Sequence, residues 1–586
     1  PGVRSSWRRS LDVAPHVLRI SESAQQFLDA RGIDLSPSPL LLMKANDTYW
    51  YHLRVYCGTV EQVWRAAEHC GAKTLTTLAG DPGYFATGER PAFDFLFGKD
   101  DWATYLVAKV AREMNLGFES LRAKASMPRL RPKARSASLF AAKMAILGRR
   151  ALRALPEVRA ARNKVRRLRG RPWILMLVRG ASEWYTLRPI LRRIEEEGHY
   201  ETLVVADEIL RSPSSVVALE SSGQPFIDLH TFASAAMLPK VARSAMIARQ
   251  AWRALEDWTP PPSDGCDSLD RLVFDDATVV CRSVATQLHA AAEQTLFVEE
   301  LAALFETATP SLVATPCMLE PWGFSLRAVC ERYSIPVLTL QNAVLSRHNV
   351  PRLVFGNRLA VSGAFVRDWM TEAGADAEAV VPTGLPMLDY GAQLRADRAA
   401  LRRRHGMEED EFVVAITSQA WDDQPKERNE ALLRFAAEAC TELPRCRIVL
   451  KLHPREKPGT HDAYVRELRA SLGVRIDVTE LTDVHEFLAC ADLLFTRVST
   501  TIMSALAMGC PVAVLYDFWT ETFQTDYLQS SAVRRTSEPT QLTSYCKGLR
   551  NDPGVRADYE SARQDYLKTS LGTVDGGATT RIVELM

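Results

Sequence analysis

The chain has 586 residues, of which 47% are apolar and 24% charged, and its formal net charge is +1. This length suits two or three domains of ordinary size, and the composition is that of a soluble globular protein. A protein that binds a polyanion along its length would carry a larger charge excess, so nucleic acid is not an expected partner.

The spacing of the cysteines argues against a disulfide-rich or zinc-binding protein. The 11 cysteines form no CxxC pair and no zinc-ligand spacing. Many of them, such as Cys330, Cys490 and Cys510, lie in apolar surroundings. This pattern predicts reduced core residues of a cytoplasmic protein.

The first part of the chain changes character near residue 128. Residues 1–127 alternate short apolar runs with polar turns, which predicts an α/β accessory unit. In 128–172, fifteen Arg or Lys residues recur among Ala and Leu, and Glu157 is the one acid there. This basic helical segment is expected either to lie on an anionic membrane surface, at the inner face of the cytoplasmic membrane, or to be a solvated connector.

From Trp173 onward, strands and helices alternate regularly. A buried strand at 173–178, a turn, an amphipathic helix and a second strand predict a βαβ unit. The turn has no GxGxxG pattern, so dinucleotide binding is not supported. The alternation continues to the end of the chain, which predicts two Rossmann-like domains at 173–357 and 358–586.

Two polar clusters follow predicted strands of the second domain. Lys451, His453 and Pro454 end one apolar strand, and Ser499 and Thr500 lie between a later strand and an apolar helix. Parallel strands open into a ligand crevice at their carboxyl ends, and a helix start offers free N–H groups to an anion. Each cluster alone could be a turn or a helix cap. Together they predict a phosphate-binding site.

The two clusters resemble the His-Pro and Ser-Ser/Thr motifs of GT-B glycosyltransferases that release CMP. The resemblance covers roughly residues 173–586. These families include bacterial sialyltransferases and polysialyltransferases, the Kdo transferases of capsule and lipopolysaccharide assembly, and the CDP-glycerol polymerases. The resemblance implies an α/β fold of the GT-B type, with two Rossmann-like domains that face each other across a cleft. It also implies a CMP-sugar donor and a glycan or lipid-linked glycan acceptor.

The resemblance assigns the donor to the second domain. No DxD motif of the kind that holds a metal-diphosphate donor follows a predicted strand, so neither a metal nor another cofactor is expected. Arg497 suits the carboxylate of a sugar acid, because a guanidinium fork matches a planar carboxylate. Gly384 is expected at the crossing between the domains, where glycine and proline mark a hinge. The other residues implied to hold the donor are Lys451, His453, Pro454, Ser499 and Thr500.

The loop after the strand at 412–416 is the second part of the predicted donor site. In retaining β-Kdo transferases, a Gln followed by an acidic pair occupies a similar place, and an Asp there is implied as the nucleophile. In this chain Gln419 precedes Asp422 and Asp423. Either Asp would form a glycosyl-enzyme adduct. Alternatively, one of them caps the helix that begins near Pro425.

The acceptor side is expected in the first domain. Glu320, at a predicted strand end, suits a general base that deprotonates the acceptor hydroxyl, or else it is a solvated bend residue. Arg179 and Glu183, in the first βα loop, would hold the acceptor sugar. Gln341 lies where many related enzymes carry Gln-His-Gly, but the His and Gly are absent here, which leaves the role of this loop open.

The sequence thus predicts a CMP-sugar-dependent glycosyltransferase of bacterial surface glycan assembly, with a retaining β-Kdo transferase as the leading hypothesis. One alternative is a CDP-polyol phosphotransferase of the same architecture, which needs no anomeric nucleophile. The other is a non-catalytic scaffold that recruits a polymerase to the membrane through 128–172.

Overall fold

The computed structural model describes residues 155–586 apart from 208–218, 281–290, 317–320, 343–355, 420–424, 480–482 and 517–525 and gaps of one or two residues, which include 454–455. Before residue 155 it describes chiefly 22–33, 70–77 and 102–120. In this early part, β1 (Thr74–Thr77) and β2 (Gly117–Ser120) pair in parallel and contact helix α1 (Trp102–Glu113).

The first Rossmann-like domain is built on a parallel sheet. Its strands are β3 (Trp173–Val178), β4 (Glu201–Ala206), β5 (Ile227–Asp228), β6 (Leu312–Thr315), β7 (Val337–Leu340), β8 (Arg358–Val361) and β9 (Val380–Pro382). The described strands lie in the order β5-β4-β3-β6-β7-β8-β9. Every residue of β3 is buried, which explains its unbroken apolar run. Because the order reverses between β3 and β6, a crevice opens at their carboxyl ends.

Helices cover this sheet. They are α2 (Leu155–Arg166), α3 (Ala181–Glu197), α4 (Leu238–Ala254), α5 (Ser268–Phe274), α6 (Ala291–Thr307), α7 (Pro321–Arg332) and α8 (Ala364–Glu372). Val165 in α2 and Leu168 just after it are buried in the core that contains Phe305 of α6. Arg159 and Arg166 are exposed. The apolar side of α2 is therefore buried within the domain, and arginine side chains lie on its exposed side.

The second Rossmann-like domain repeats the design. Its strands are β10 (Phe412–Thr417), β11 (Cys446–Lys451), β12 (Arg475–Thr479), β13 (Leu493–Thr496), β14 (Val512–Leu515) and β15 (Val533–Thr536). In the described residues they form a parallel sheet in the order β12-β11-β10-β13-β14-β15. The order reverses between β10 and β13, so the ligand crevice is expected at the ends of those strands.

The helices of this half extend to the end of the chain. They are α9 (Pro386–Asp389), α10 (Arg398–Arg404), α11 (Pro425–Cys440), α12 (Asp462–Leu472), α13 (Val484–Cys490), α14 (Thr501–Ala507), α15 (Asp526–Gln529), α16 (Pro539–Asn551), α17 (Pro553–Tyr566) and α18 (Ala578–Leu585). A π-helical turn at Leu567–Leu571 follows α17. Two parallel α/β domains in tandem confirm the predicted GT-B-like fold class.

The boundary between the domains differs from the prediction. Strands β8 and β9 pair with β7, so the first sheet extends to Pro382 rather than ending at 357. An apolar run predicts that a strand exists but not which sheet it joins, and this caused the error. The crossing falls just after β9, at Gly384, whose φ of 85° is left-handed and suits glycine. Helix α9 then contacts α3 of the first domain and α14 of the second.

The last helix returns to the first domain. Ile582 of α18 is buried in the core that contains Trp184 of α3. Asp389 accepts hydrogen bonds from the N–H groups of Ala578 at 3.2 Å and Thr579 at 2.7 Å. Helix α18 therefore packs on the first domain and hydrogen-bonds to α9, the helix that follows the crossing. Within the described residues, no helix is long and apolar enough to cross a membrane.

Candidate functional site

Hydroxyl groups gather where β10 and β13 end. The Thr417 hydroxyl oxygen lies 3.1 Å from that of Thr496 and 3.2 Å from that of Thr501. The Ser499 hydroxyl oxygen lies 2.8 Å from that of Thr501 and accepts the Thr501 N–H at 3.3 Å. Thr500 is exposed and makes no capping hydrogen bond. Of the two predicted hydroxyl residues, Ser499 belongs to this cluster. The Thr500 side chain does not cap the helix.

Lys451 and His453 lie beside that cluster, because β11 is the other neighbour of β10. Lys451 ends β11 and is 7% exposed, and its ammonium donates to the Leu452 carbonyl at 3.4 Å. Burial lowers the pKa of the Lys451 ammonium, and the Asp483 carboxylate partly opposes this. The His453 N–H donates to the Ser418 hydroxyl oxygen at 2.7 Å. A buried amine and a half-buried imidazole thus stand at one strand end.

The Gln419 side chain joins two of these strand ends. Its amide nitrogen donates to the Val498 carbonyl at 2.5 Å, directly before Ser499. Its backbone is held on both sides by Asn429, through an N–H bond of 3.0 Å and a C=O bond of 2.9 Å. Gln419 therefore ties the loop after β10 to the loop after β13. Arg497, which is 8% exposed, lies at the same strand end.

The carboxylate of Glu456, which the sequence analysis did not identify, contacts the strand ends of this site. Glu456 accepts hydrogen bonds from the Ser418 hydroxyl and from the His453 N–H at 3.1 Å. Its other oxygen accepts from Asn429 at 3.1 Å and lies 2.9 Å from Nε2 of His461. Its signal in the sequence was weak, because one acid after a proline is typical of any turn.

At the ligand edge of the first domain, Arg179 and Glu183 both have protein partners. The Arg179 guanidinium lies 3.1 Å from the Asp207 carboxylate at the end of β4, and both side chains are about nine-tenths buried. The Arg179 N–H donates to Glu183 at 2.6 Å. Gln341 is buried, and its side-chain oxygen accepts the Ser362 N–H at 2.8 Å. These contacts give the three residues a role in shaping the edge of the first sheet.

The sequence also missed a buried pair beside Arg179. Nδ1 of His230 lies 2.7 Å from a Glu300 carboxylate oxygen, and their side chains are 6% and 0% exposed. Burial lowers the pKa of His230, but Glu300, Asp228 and Asp207 outweigh it and raise that pKa to about 9. Glu300 stands on the apolar side of α6, a position at which a charged residue is rare. A Glu among the apolar positions of this helix is the feature of the sequence that could have indicated the pair.

Several predicted site residues lie outside the described residues. They are Glu320, Asp422, Asp423 and Pro454. Among the residues that the structure does describe, no group of three or more His, Cys, Asp or Glu side chains could hold a metal ion.

Comparison with known proteins adds a family match. Residues 344–537, about a third of the chain, match the model of a family described as "Putative glycosyltransferase (DUF6716)". The match covers the crossing and most of the second domain, including the ends of β10, β11 and β13. No curated protein matches the chain.

Solved structures with a similar arrangement include a sugar-nucleotide epimerase and a teichoic acid polymerase. The UDP-GlcNAc 2-epimerase from Neisseria meningitidis, bound to UDP-GlcNAc, is 14% identical with a TM-score of 0.46 and covers 70% of this chain and 98% of its own. The wall teichoic acid polymerase TagF is 12% identical with a TM-score of 0.42 and covers 77% of this chain and 97% of its own. Because both TM-scores are low, the fold assignment rests on the strand order of the two sheets and not on these structures. The part of the chain that holds the candidate donor site is thus similar to a glycosyltransferase family.

Proposed function

We propose that this chain is a glycosyltransferase that transfers a sugar acid, Kdo in the leading hypothesis, from a CMP-sugar to a bacterial surface glycan. The observation that carries the proposal is the meeting of Lys451, His453 and the hydroxyls of Ser499 and Thr501 at the ends of β10, β11 and β13. These strands border the point where the order of the second sheet reverses, the usual ligand position in such sheets.

The chemistry of the leaving group favours this set of side chains. CMP departs as a phosphate dianion, so the transition state needs hydrogen-bond donors and positive charge that are already in place. The Lys451 ammonium and the His453 imidazole can supply charge, and the Ser499 hydroxyl can donate a hydrogen bond. Arg497, at the end of β13, would bind the carboxylate of the sugar acid.

For transfer with retention, two displacements follow each other. A carboxylate oxygen of Asp422 or Asp423 would bond to the anomeric carbon while the bond from that carbon to the CMP phosphate oxygen breaks. The acceptor oxygen would then displace the Asp, and Glu320 would take the hydroxyl proton. Gln419, which precedes both Asp residues by three and four positions, is fixed by hydrogen bonds to Asn429 and Val498, and this supports a place for the two Asp residues near the donor.

The proposed acceptor is a glycan or a lipid-linked glycan held at the edge of the first sheet. We place this transfer at the inner face of the cytoplasmic membrane. The exposed arginines of α2 would there contact the anionic lipid headgroups.

Release of CMP tests the proposal. The full chain would be incubated separately with CMP-Kdo, CMP-sialic acid and CDP-glycerol, and free CMP measured over time. We expect the fastest release from CMP-Kdo. Release from none of the three donors would contradict the proposal. Release from CDP-glycerol alone, with Asp422→Asn and Asp423→Asn both active, would identify a polyol phosphotransferase instead.

A histidine variant separates chemistry from turn structure. His453→Ala should lower CMP release at least about 100-fold with an unchanged melting temperature, since it removes one transition-state donor. His199→Ala, at an exposed position before β4 in the first domain, is the matched control and should keep full activity. An unfolded His453→Ala protein would show that this residue serves the turn.

A further inference from the structure

The Glu456 carboxylate collects hydrogen bonds from four parts of the second domain. One oxygen accepts from the Ser418 hydroxyl, after β10, and from the His453 N–H, after β11. The other accepts from Asn429 on α11 and lies 2.9 Å from Nε2 of His461, which precedes α12. The Glu456 side chain is 6% exposed. A single buried group thus links two strand ends and two helices.

The link extends to the third strand end of the donor site. Asn429, which donates to Glu456, also holds the Gln419 backbone on both sides. The Gln419 side chain in turn bonds to the Val498 carbonyl, next to Ser499. Through this chain of hydrogen bonds, one carboxylate is connected to the ends of β10, β11 and β13, the three strands that carry the proposed phosphate-binding groups.

The charge of Glu456 matters for this arrangement. Burial by itself would raise the pKa of the carboxyl, but hydrogen bonds from His461, Ser418 and the His453 N–H outweigh burial and lower the pKa below its ordinary value. The group is therefore an ionised acceptor at neutral pH. An ionised carboxylate can accept on both oxygens, whereas an amide of the same shape accepts on one end and donates from the other.

We infer that Glu456 is a positioning residue of the donor site. It holds the Ser418 hydroxyl and the His453 backbone N–H, so that the His453 imidazole and the Gln419 backbone keep one arrangement before the nucleotide arrives. Donors placed in advance need no reorganisation when the leaving group departs. The identity of the nucleotide in this inference rests on the proposed function.

Glu456→Gln tests the inference, and Glu430→Gln is its matched control. Glu430 lies 3.6 Å from Nδ1 of His461, on the other side of the same ring, but no contact links it to the strand ends in the described residues. Glu456→Gln should weaken CMP binding about tenfold, the loss expected when buried donors lose their acceptor. Glu430→Gln should bind CMP as the wild type does.

A double-mutant comparison separates positioning from general stability. If Glu456 acts through His453, Glu456→Gln should weaken CMP binding little further in a His453→Ala background. The same tenfold loss in both backgrounds would overturn the inference. Ser418→Ala, which removes one donor and leaves the carboxylate in place, should give part of the Glu456→Gln effect. It also serves as the test if Glu456→Gln does not fold.

Amide hydrogen exchange without nucleotide provides an independent readout. Glu456→Gln should speed exchange at the His453 and Gln419 amides and leave the β14 amides unchanged. Unchanged exchange at both loop amides would overturn the inference. If the wild type binds no CMP, the proposed function fails, and the exchange pattern still decides whether Glu456 holds the loops together.

Discussion

In the described residues, six strands of the first sheet follow the same order as the six strands of the second sheet, but the ligand edges of the two sheets differ in chemistry. At the second sheet, Lys451 and His453 stand with threonine and serine hydroxyls, and the nearby carboxylate of Glu456 is fully occupied by protein donors. At the first sheet, Asp207 and Glu300 are each paired with one basic side chain. Under the proposed function, the edge of the second sheet would receive the anionic leaving group, and the edge of the first sheet would receive the hydroxyl-bearing acceptor. The same fold thus carries different charged and hydroxyl side chains at the ligand edges of its two halves.

Removal of the buried amine should have the largest effect. Lys451→Met should lower CMP release between about 100- and 1,000-fold, because it removes a positive charge next to the leaving phosphate. The melting temperature should stay the same or rise, since burial of the Lys451 ammonium costs free energy that the Asp483 carboxylate only partly offsets. Lys240→Met, at a position where the side chain is 61% exposed, is the control. If Lys451→Met and Lys240→Met lost activity equally, the ammonium of Lys451 would have no special role at the edge of the second sheet.

The buried pair of the first domain should govern stability rather than donor binding. Glu300→Gln should lower the free energy of unfolding by about 2 kcal/mol, because it weakens the acceptor of a buried imidazole. Glu299→Gln, one residue away in a pair with the exposed Lys240, should cost less than about 0.5 kcal/mol. Urea unfolding measures both. A Glu300→Gln protein with wild-type stability would contradict the pairing.

The two edges should also lose stability at opposite ends of the pH range. The pKa of His230 is raised from 6.5 to about 9, so its contribution is complete below 6.5 and is lost as pH rises through 9. The pKa of Glu456 is lowered from 4.5, so its contribution is present above 4.5 and is lost as pH falls through the lower value.

Urea unfolding between pH 4 and pH 9.5 measures this difference. Glu300→Gln should flatten the alkaline decline, and Glu456→Gln should flatten the acid decline. If either variant flattened both declines, the two carboxylates would not act separately.

The smallest effects should distinguish neighbouring hydroxyls. Ser499→Ala should weaken CMP binding about fivefold, since one hydrogen bond is lost. Thr500→Ala should change it less than about twofold, because that side chain is exposed and makes no capping bond. The two Kd values, measured by calorimetry, would be reversed if Thr500 were the phosphate contact.

The sequence predicted those features that depend on local pattern. Unbroken apolar runs located β3 and β11, and the polar residues that end β11 were correctly expected at a strand end. Sheet membership could not be predicted, because β8 and β9 have the same local pattern whichever sheet they join. Glu456 was missed because its role depends on Ser418 and Asn429, which are distant in sequence. The His230–Glu300 pair was missed for the same reason, although a Glu on an apolar helix face was a visible sign.

The most direct test of the central claim is calorimetric titration of CMP into the wild type, Lys451→Met and Glu300→Gln. We predict that the wild type and Glu300→Gln bind CMP with the same Kd and that Lys451→Met binds it at least about tenfold more weakly, as expected for a lost charge-assisted contact. No binding to the wild type, or the same loss in both variants, would contradict a CMP site at the edge of the second sheet.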